Sequence, residues 1–257
     1  MELGLSDRRA LVMGSTRGIG FGIADRLAAE GARVAVCGRK KASADEAASK
    51  IDGATGYALD LGDAASVDRL IASVEADFGG LDIIVCNGGG PPPGSIAEVT
   101  PEVWEAQFQS MFVNQVRIVG AFLGPMRERQ WGRVLIVASS GVIQPIVNLG
   151  ISNALRSSLF AWAKTLAGEV AADGVTVNTI LPGRIQTSRV DQIDAAAAER
   201  QGKPVADIVS ASQAAIPARR YGTVEEIADV GVFLLSDRAS YVTGGITRVD
   251  GGMIRSV

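Results

Sequence analysis

Apolar residues fall into short β-branched runs separated by longer, alanine-rich stretches of helical periodicity. RALVM (9–13), RVAVC (33–37), DIIVCN (82–87), RVLIVAS (133–139), VTVNTIL (175–181) and ITRVD (246–250) read as strands. Tyr57 enters another predicted strand, so DIIVCN is strand four. Near-continuous apolarity suits strands buried on both faces. Residues 18–30, 43–50, 63–78, 101–130, 152–173 and 223–235 read as helices. The alternation predicts an α/β, doubly wound Rossmann fold: about seven parallel strands, helices on both faces and right-handed crossovers. No linker or repeat breaks the chain, so 1–257 reads as a single dinucleotide-binding domain. Segment 188–220 is alanine-rich, carries both charges and leaves the strand rhythm. It is read as an excursion over the strand ends, where such sheets bind ligands.

Composition narrows the chemistry. The 257 residues are 47% hydrophobic and 21% charged, enough for a sizeable core. A net charge of −3 without a long basic run argues against a nucleic-acid partner. No apolar run spans a bilayer and the N-terminus does not read as a signal peptide, so a cytoplasmic protein with no membrane partner is expected. The chain has no histidine, which excludes a histidine triad, and two cysteines, too few for a soft-metal site. Cys37 and Cys86 read as buried small hydrophobes.

The first strand runs through Met13 into GSTRGIG (14–20) and then a helix. Gly14 permits a tight turn, and Gly18 and Gly20 let backbone approach a pyrophosphate and the neighbouring strand. The helix start adds unpaired N–H groups and a positive dipole end. Gly14, Ser15, Thr16, Arg17, Gly18, Ile19 and Gly20 are therefore the candidate phosphate cradle. An acid ending the second strand would select NAD by binding the ribose 2′-hydroxyl. Here Cys37-Gly38-Arg39-Lys40-Lys41 stands instead. A basic cluster without a carboxylate suits a 2′-phosphate, with Arg17 able to close on it, so NADP(H) is expected over NAD(H).

The order GSTRGIG (14–20), Asp60-Leu61, CNGGG (86–90), Asn114, RVLIVASSG (133–141), VNTILPGRIQT (177–187) and VDGG (249–252) resembles the short-chain dehydrogenase/reductase family over essentially the whole chain. It is most similar to members like the 3-oxoacyl-(acyl-carrier-protein) reductases. The resemblance implies that Asp60 and Leu61 flank the adenine and that Asn87, with Gly88, holds the central sheet and the cofactor edge. It implies that Pro182, Gly183 and Thr187 place the nicotinamide carboxamide. Asn114 would bend its helix and position a proton-relay water. Ser140 would bind the substrate oxygen, with Ser139 a close competitor by spacing. A homotetramer or homodimer packed through the helices around 101–130 and 152–173 is also implied. Met13, Cys86 and Gly88 depart from the usual residues at their positions.

A larger departure lies in ISNALRSSLFAWAKTLAGE (151–169). Aligning KTLAGE (164–169) with the family's usual ending puts the catalytic Tyr position on Ser152 and the catalytic Lys position on Arg156. The i, i+4 spacing keeps both on one helix face. A serine hydroxyl is a far weaker acid than a phenol of pKa about 10, and Arg, with pKa above about 12, is a poor proton shuttle. Tyr57, Tyr221 and Tyr241 are not placed by sequence near this face, and Lys164 reads as a surface or interface residue.

Four readings stay open: an NADP(H) oxidoreductase with altered proton delivery, a conjugate C=C reductase, a nucleotide-binding protein without chemistry, and a lyase-like enzyme. In the first, Ser140 and Ser152 bind the oxygen of a small carbonyl or hydroxyl substrate, Arg156 stabilises developing charge and water supplies the proton. The stiff CNGGGPPPGS stretch (86–95) is expected to wall the cleft. Arg184 and Arg189 with Arg156 could form a positive mouth for an anionic substrate, or Arg184 and Arg189 could pair with Asp191 or Asp194.

Overall fold

The computed structural model describes residues 2–256. Seven strands form one sheet: β1 (Arg9–Val12), β2 (Arg33–Gly38), β3 (Ala54–Ala58), β4 (Ile83–Cys86), β5 (Gly132–Val137), β6 (Val175–Pro182) and β7 (Ile246–Val249). Their order is β3-β2-β1-β4-β5-β6-β7, and each pairing is parallel. The chain winds outward from β1 to β3, then crosses back and winds the other way from β4. The tips of β1 and β4 therefore diverge and open the crevice where such sheets bind ligands.

Nine α-helices are present among the described residues: α1 (Gly18–Ala29), α2 (Lys41–Ala48), α3 (Ala64–Phe78), α4 (Pro101–Phe108), α5 (Asn114–Glu128), α6 (Gly150–Val170), α7 (Ser188–Gln201), α8 (Val205–Ala215) and α9 (Val224–Leu234). Strand side chains alternate between two cores. Leu11, Ala35, Ile84 and Ile136 join residues of α3, α5 and α6 on one face. Val12, Val36, Val85 and Leu135 join residues of α1, α2 and α9 on the other. This two-sided burial explains why the strands read as unbroken apolar runs.

Local signals set several helix ends. Asp63 caps α3 by accepting from the Ala65 N–H at 2.9 Å, and Gly79 ends it at φ +64°. Thr223 and Glu226 form a reciprocal capping box at α9. The expected helix over 101–130 is two helices joined by a π turn at Gln109–Val113, just before Asn114. The helix expected from 152 begins two residues earlier, at Gly150. The excursion at 188–220 contains α7 and α8 and has its own small core of Val190, Ile216 and Tyr221.

Candidate active site

The cradle is assembled at the tip of β1. Gly14 and Gly18 take φ of +57° and +59°, a region that suits glycine. A Cβ on Gly20 would lie 2.6 Å from both the Gly14 carbonyl oxygen and Asn87 Nδ2, so only glycine lets α1 start against the turn. Asn87 Nδ2 donates to the carbonyls of Met13 (3.1 Å) and Gly14 (3.0 Å), tying the end of β4 to the turn after β1. Arg17 precedes α1 with an exposed side chain that does not cap it, so the helix start keeps open N–H groups. A backbone cradle with no room for side chains fits a dinucleotide pyrophosphate.

Ser15 does a different job. It is fully buried; its hydroxyl donates to Val12 and accepts from the Cys37 N–H, and its own N–H donates to Cys37. It therefore welds β1 to β2 with the groups it would have offered a ligand. The Thr16 methyl faces Gly38, half-buried Ile19 packs on the core beneath α1, and Arg39 stands exposed past β2. Asp60 is exposed, while Leu61 is half-buried and its carbonyl accepts from Asn114 Nδ2 at 2.7 Å.

Asn114 is fully buried, and its Oδ1 accepts from Gln109 Nε2 at 2.9 Å. Its side chain braces the π turn against the strand-three side of the sheet; no hydrogen bond joins it to Arg156 among the described residues. Pro182 ends β6, and Gly183 donates to Val249. A Cβ on Gly183 would lie 2.6 Å from the Asp250 Cα. Thr187 comes back over the cradle: a Cβ on Gly18 would be 3.4 Å from its methyl. The glycine turn and the segment after β6 thus meet across the crevice.

Ser152 and Arg156 lie on α6, above the tips of β4 and β5. Arg156 Nε donates to Ser152 Oγ at 3.3 Å. Its Nη1 donates to Val137 (2.8 Å) and Ala138 (3.2 Å), and its Nη2 to Gly88 (3.2 Å), all backbone carbonyls. Desolvation, with Arg189's charge added, brings Arg156 down to about 10, so it stays cationic at neutral pH. Ser139 Oγ accepts from the Gly141 N–H at 3.2 Å and caps a 3₁₀ turn, whereas the buried Ser140 hydroxyl has no such engagement.

The tyrosine hydroxyls are occupied or remote. Tyr57 donates to Asp77 and Tyr221 to Asp194, each at 2.7 Å, and Tyr241 is fully exposed. Burial and the adjacent carboxylates push Tyr57 and Tyr221 up, away from acid chemistry near neutrality. Burial likewise raises both free thiols, Cys86 to about 12. Lys164 is exposed.

The three-arginine mouth is reduced to two. Arg184 Nη1 lies 2.5 Å from buried Asp194 Oδ1, and this ion pair anchors α7. Arg189 Nη2 donates to Pro91 O at 3.3 Å and forms no ion pair among the described residues; Asp191 accepts instead from Gln186. The proline stretch docks on the opposite wall, where the Gly94 N–H donates to Asn148 at 2.8 Å.

Sequence reasoning missed Gln109 and Gln115. Gln115 Nε2 donates to Met111, while its buried Oε1 lacks a partner and its amide lies beside Gly88. The available signal was two glutamines within five residues of Asn114 in an otherwise largely apolar stretch.

Residues 14–254 match the family model described as enoyl-(acyl carrier protein) reductase. The chain belongs to the short-chain dehydrogenase/reductase family of oxidoreductases. It is 34% identical over 248 residues to the 3-oxoacyl-(acyl-carrier-protein) reductase FabG of Escherichia coli, covering 95% of this chain and 96% of that one. Among solved structures it resembles L-sorbose reductase from Gluconobacter frateurii, complexed with NADPH and L-sorbose (TM-score 0.94, 32% identity, all of both chains). It also resembles actinorhodin polyketide ketoreductase with NADPH (TM-score 0.91, 29% identity, 98% of both chains). Among the described residues no helix is long and apolar enough to cross a membrane.

Proposed function

We propose that this protein is an NADP(H)-dependent oxidoreductase of a small carbonyl or hydroxyl compound, working without a phenolic proton donor. The observation that carries this reading is the Ser152–Arg156 pair beside Gly88, with the tyrosine hydroxyls engaged elsewhere or at the surface. By resemblance the pair occupies the Tyr and Lys positions of the family. NADPH in the sorbose and polyketide reductase structures supports the cofactor, as do the glycine cradle and the basic turn at Arg39.

The glycine turn after β1 and the segment after β6 would hold NADPH, which would supply a hydride. The residues here do the rest. Ser140 and Ser152 hold the substrate oxygen by hydrogen bonds, and the Arg156 charge favours the developing alkoxide. A solvent proton completes the alcohol, because neither a serine hydroxyl nor Arg156 is acidic enough to donate one at neutral pH. Asn87, Gly88 and the Pro182–Thr187 segment frame the cofactor. Arg189, unpaired at the mouth, suits an anionic group on the substrate.

The assembly fits a homotetramer or homodimer through α4, α5 and α6, where Gly120 and Gly124 of α5 and Gly168 of α6 leave open space and Phe108 at the end of α4 is exposed. Two free cysteines suit a reducing, cytoplasmic location. One observation favours reduction of a conjugated C=C bond instead: the enoyl reductase description of the matching family model. There the same groups would hold an enolate. The test follows NADPH absorbance at 340 nm against panels of ketones and enones, with product identification. Oxidation with ketones supports the proposal and oxidation with enones alone supports the second reading. Tight NADPH binding with no oxidation by either panel makes the protein a nucleotide-binding one without chemistry.

A further inference from the structure

We infer that Arg156 is a positioning residue, a clasp that aims the Ser152 hydroxyl and holds the Gly88 turn, rather than a ligand of cofactor or substrate. The inference rests on the oxidoreductase reading and assigns the charge on Arg156 an indirect route of action.

A guanidinium carries five N–H groups in a rigid planar fork. Four are spent, on Ser152 Oγ, Val137 O, Ala138 O and Gly88 O. These acceptors belong to the first turns of α6, the end of β5 and the turn after β4. One planar group therefore locks three separate segments at the point where the sheet opens. One N–H is left for anything else.

The bond to Ser152 has a chemical consequence. Ser152 Oγ accepts from a cation, so its own hydrogen is left to donate, and the neighbouring charge makes it a stronger donor. Other serines of α6 spend that hydrogen within the helix: Ser157 donates to the Asn153 carbonyl at 2.7 Å and Ser158 to the Leu155 carbonyl at 2.8 Å. Ser152 sits in the first turn of α6; the carbonyls three and four residues behind it, Leu149 and Asn148, already accept from the Asn153 and Gly94 N–H groups at 2.8 Å each, and Ser152 Oγ donates to neither among the described residues. Its hydroxyl is thus kept as an oriented donor for a substrate oxygen.

Lysine cannot replace this clasp. Its ammonium is a single point of charge, and three donors around one nitrogen do not span acceptors on three segments. Restoring the family's usual lysine therefore damages the site.

The test is a double-mutant cycle in the full chain: wild type, Arg156→Lys, Ser152→Ala and the double variant. It is read by kcat on the substrate the wild type reduces and by the Kd of NADPH. Each single change is expected to lower kcat about 100-fold, and the double variant no more than about 200-fold, because both remove one coupled unit. In Arg156→Lys, kcat should move more than Kd. Losses that multiply to about 10,000-fold, or a Kd that moves more than kcat, overturn the clasp, because Arg156 would then act on its own. A wild type that binds NADPH but reduces nothing sinks the oxidoreductase reading instead. The cycle is then read in the thermal unfolding of the NADPH-bound protein. Losses of Tm that fall short of additivity by about 2 °C support the clasp, and additive losses overturn it.

Discussion

The two ends of the sheet use the same residue type for opposite purposes. At the N-terminal ends of the strands, arginines meet carboxylates. Arg9 grips Asp82 with Nε (2.8 Å) and Nη2 (2.7 Å), and Arg129 adds a contact to the same carboxylate at 3.1 Å. Trp131 packs between the guanidiniums of Arg8 and Arg133 at 3.7 and 4.3 Å and donates to Asp237 at 2.8 Å. At the C-terminal tips, Arg156 and Arg189 donate to backbone carbonyls and form no ion pair among the described residues. The base is a closed electrostatic unit. The tips keep uncompensated positive charge and glycine-lined space, which stabilise the fold less and leave capacity for a ligand.

The contrast is sharpest in stability. Asp82→Ala removes the buried carboxylate that half-buried Arg9 and exposed Arg129 contact, and losing its charge-assisted hydrogen bonds should cost about 3 kcal/mol. That lowers Tm by about 8 °C in calorimetry while NADPH affinity stays within twofold. If affinity fell in step with Tm, the two ends would not be separable. At the tips the order should reverse. Gly20→Ala places a Cβ against Gly14 and Asn87. It should raise the NADPH Kd about 30-fold in a fluorescence titration, with a smaller loss of Tm than Asp82→Ala.

Arg39→Ala tests cofactor choice alone. The Kd for NADPH should rise about tenfold and that for NADH less than twofold, with Tm unchanged. An equal change for both would remove the 2′-phosphate assignment.

The smallest effect is in pH. Burial raises the Asp82 carboxyl, but the hydrogen bonds and charge of Arg9, with the charge of Arg129, outweigh it and leave its pKa below the usual value. A depressed carboxylate stabilises the fold above its unfolded pKa of about 3.9, and that contribution is lost as pH falls through the lower folded value. Urea midpoints should therefore fall below about pH 4, and Asp82→Asn should flatten that limb. An unchanged slope in the variant would assign the acid sensitivity to other groups.

How far the molecule could be read from its residues differs by region. The buried strands and the glycine turn after β1 were legible, because parallel strands and glycine turns leave strong local signatures in β-branched runs and in spacing. The edge strand β3 was marked only by Tyr57: its ATGYA lacks an apolar run, and it is held by α2 lying against Gly56. The break in the 101–130 helix was invisible as a π turn, although Asn114 was expected to bend it. Ser15 belonged to a motif read as cofactor-binding, yet its hydroxyl and N–H join two strands. Arg184, just after Gly183, and Arg189, just after Thr187, looked equivalent. Only packing shows one paired with Asp194 and the other reaching the proline stretch.

The sequence by itself determined the doubly wound sheet, the glycine turn after β1 and the presence of a serine and an arginine one helical turn apart. Periodicity and backbone freedom are local properties, carried by neighbours along the chain. Tertiary structure alone decided what that arginine does. Its four acceptors come from segments as far apart as residues 88 and 152, and a hydrogen bond depends on distances of a few tenths of an ångström that no spacing in the chain encodes.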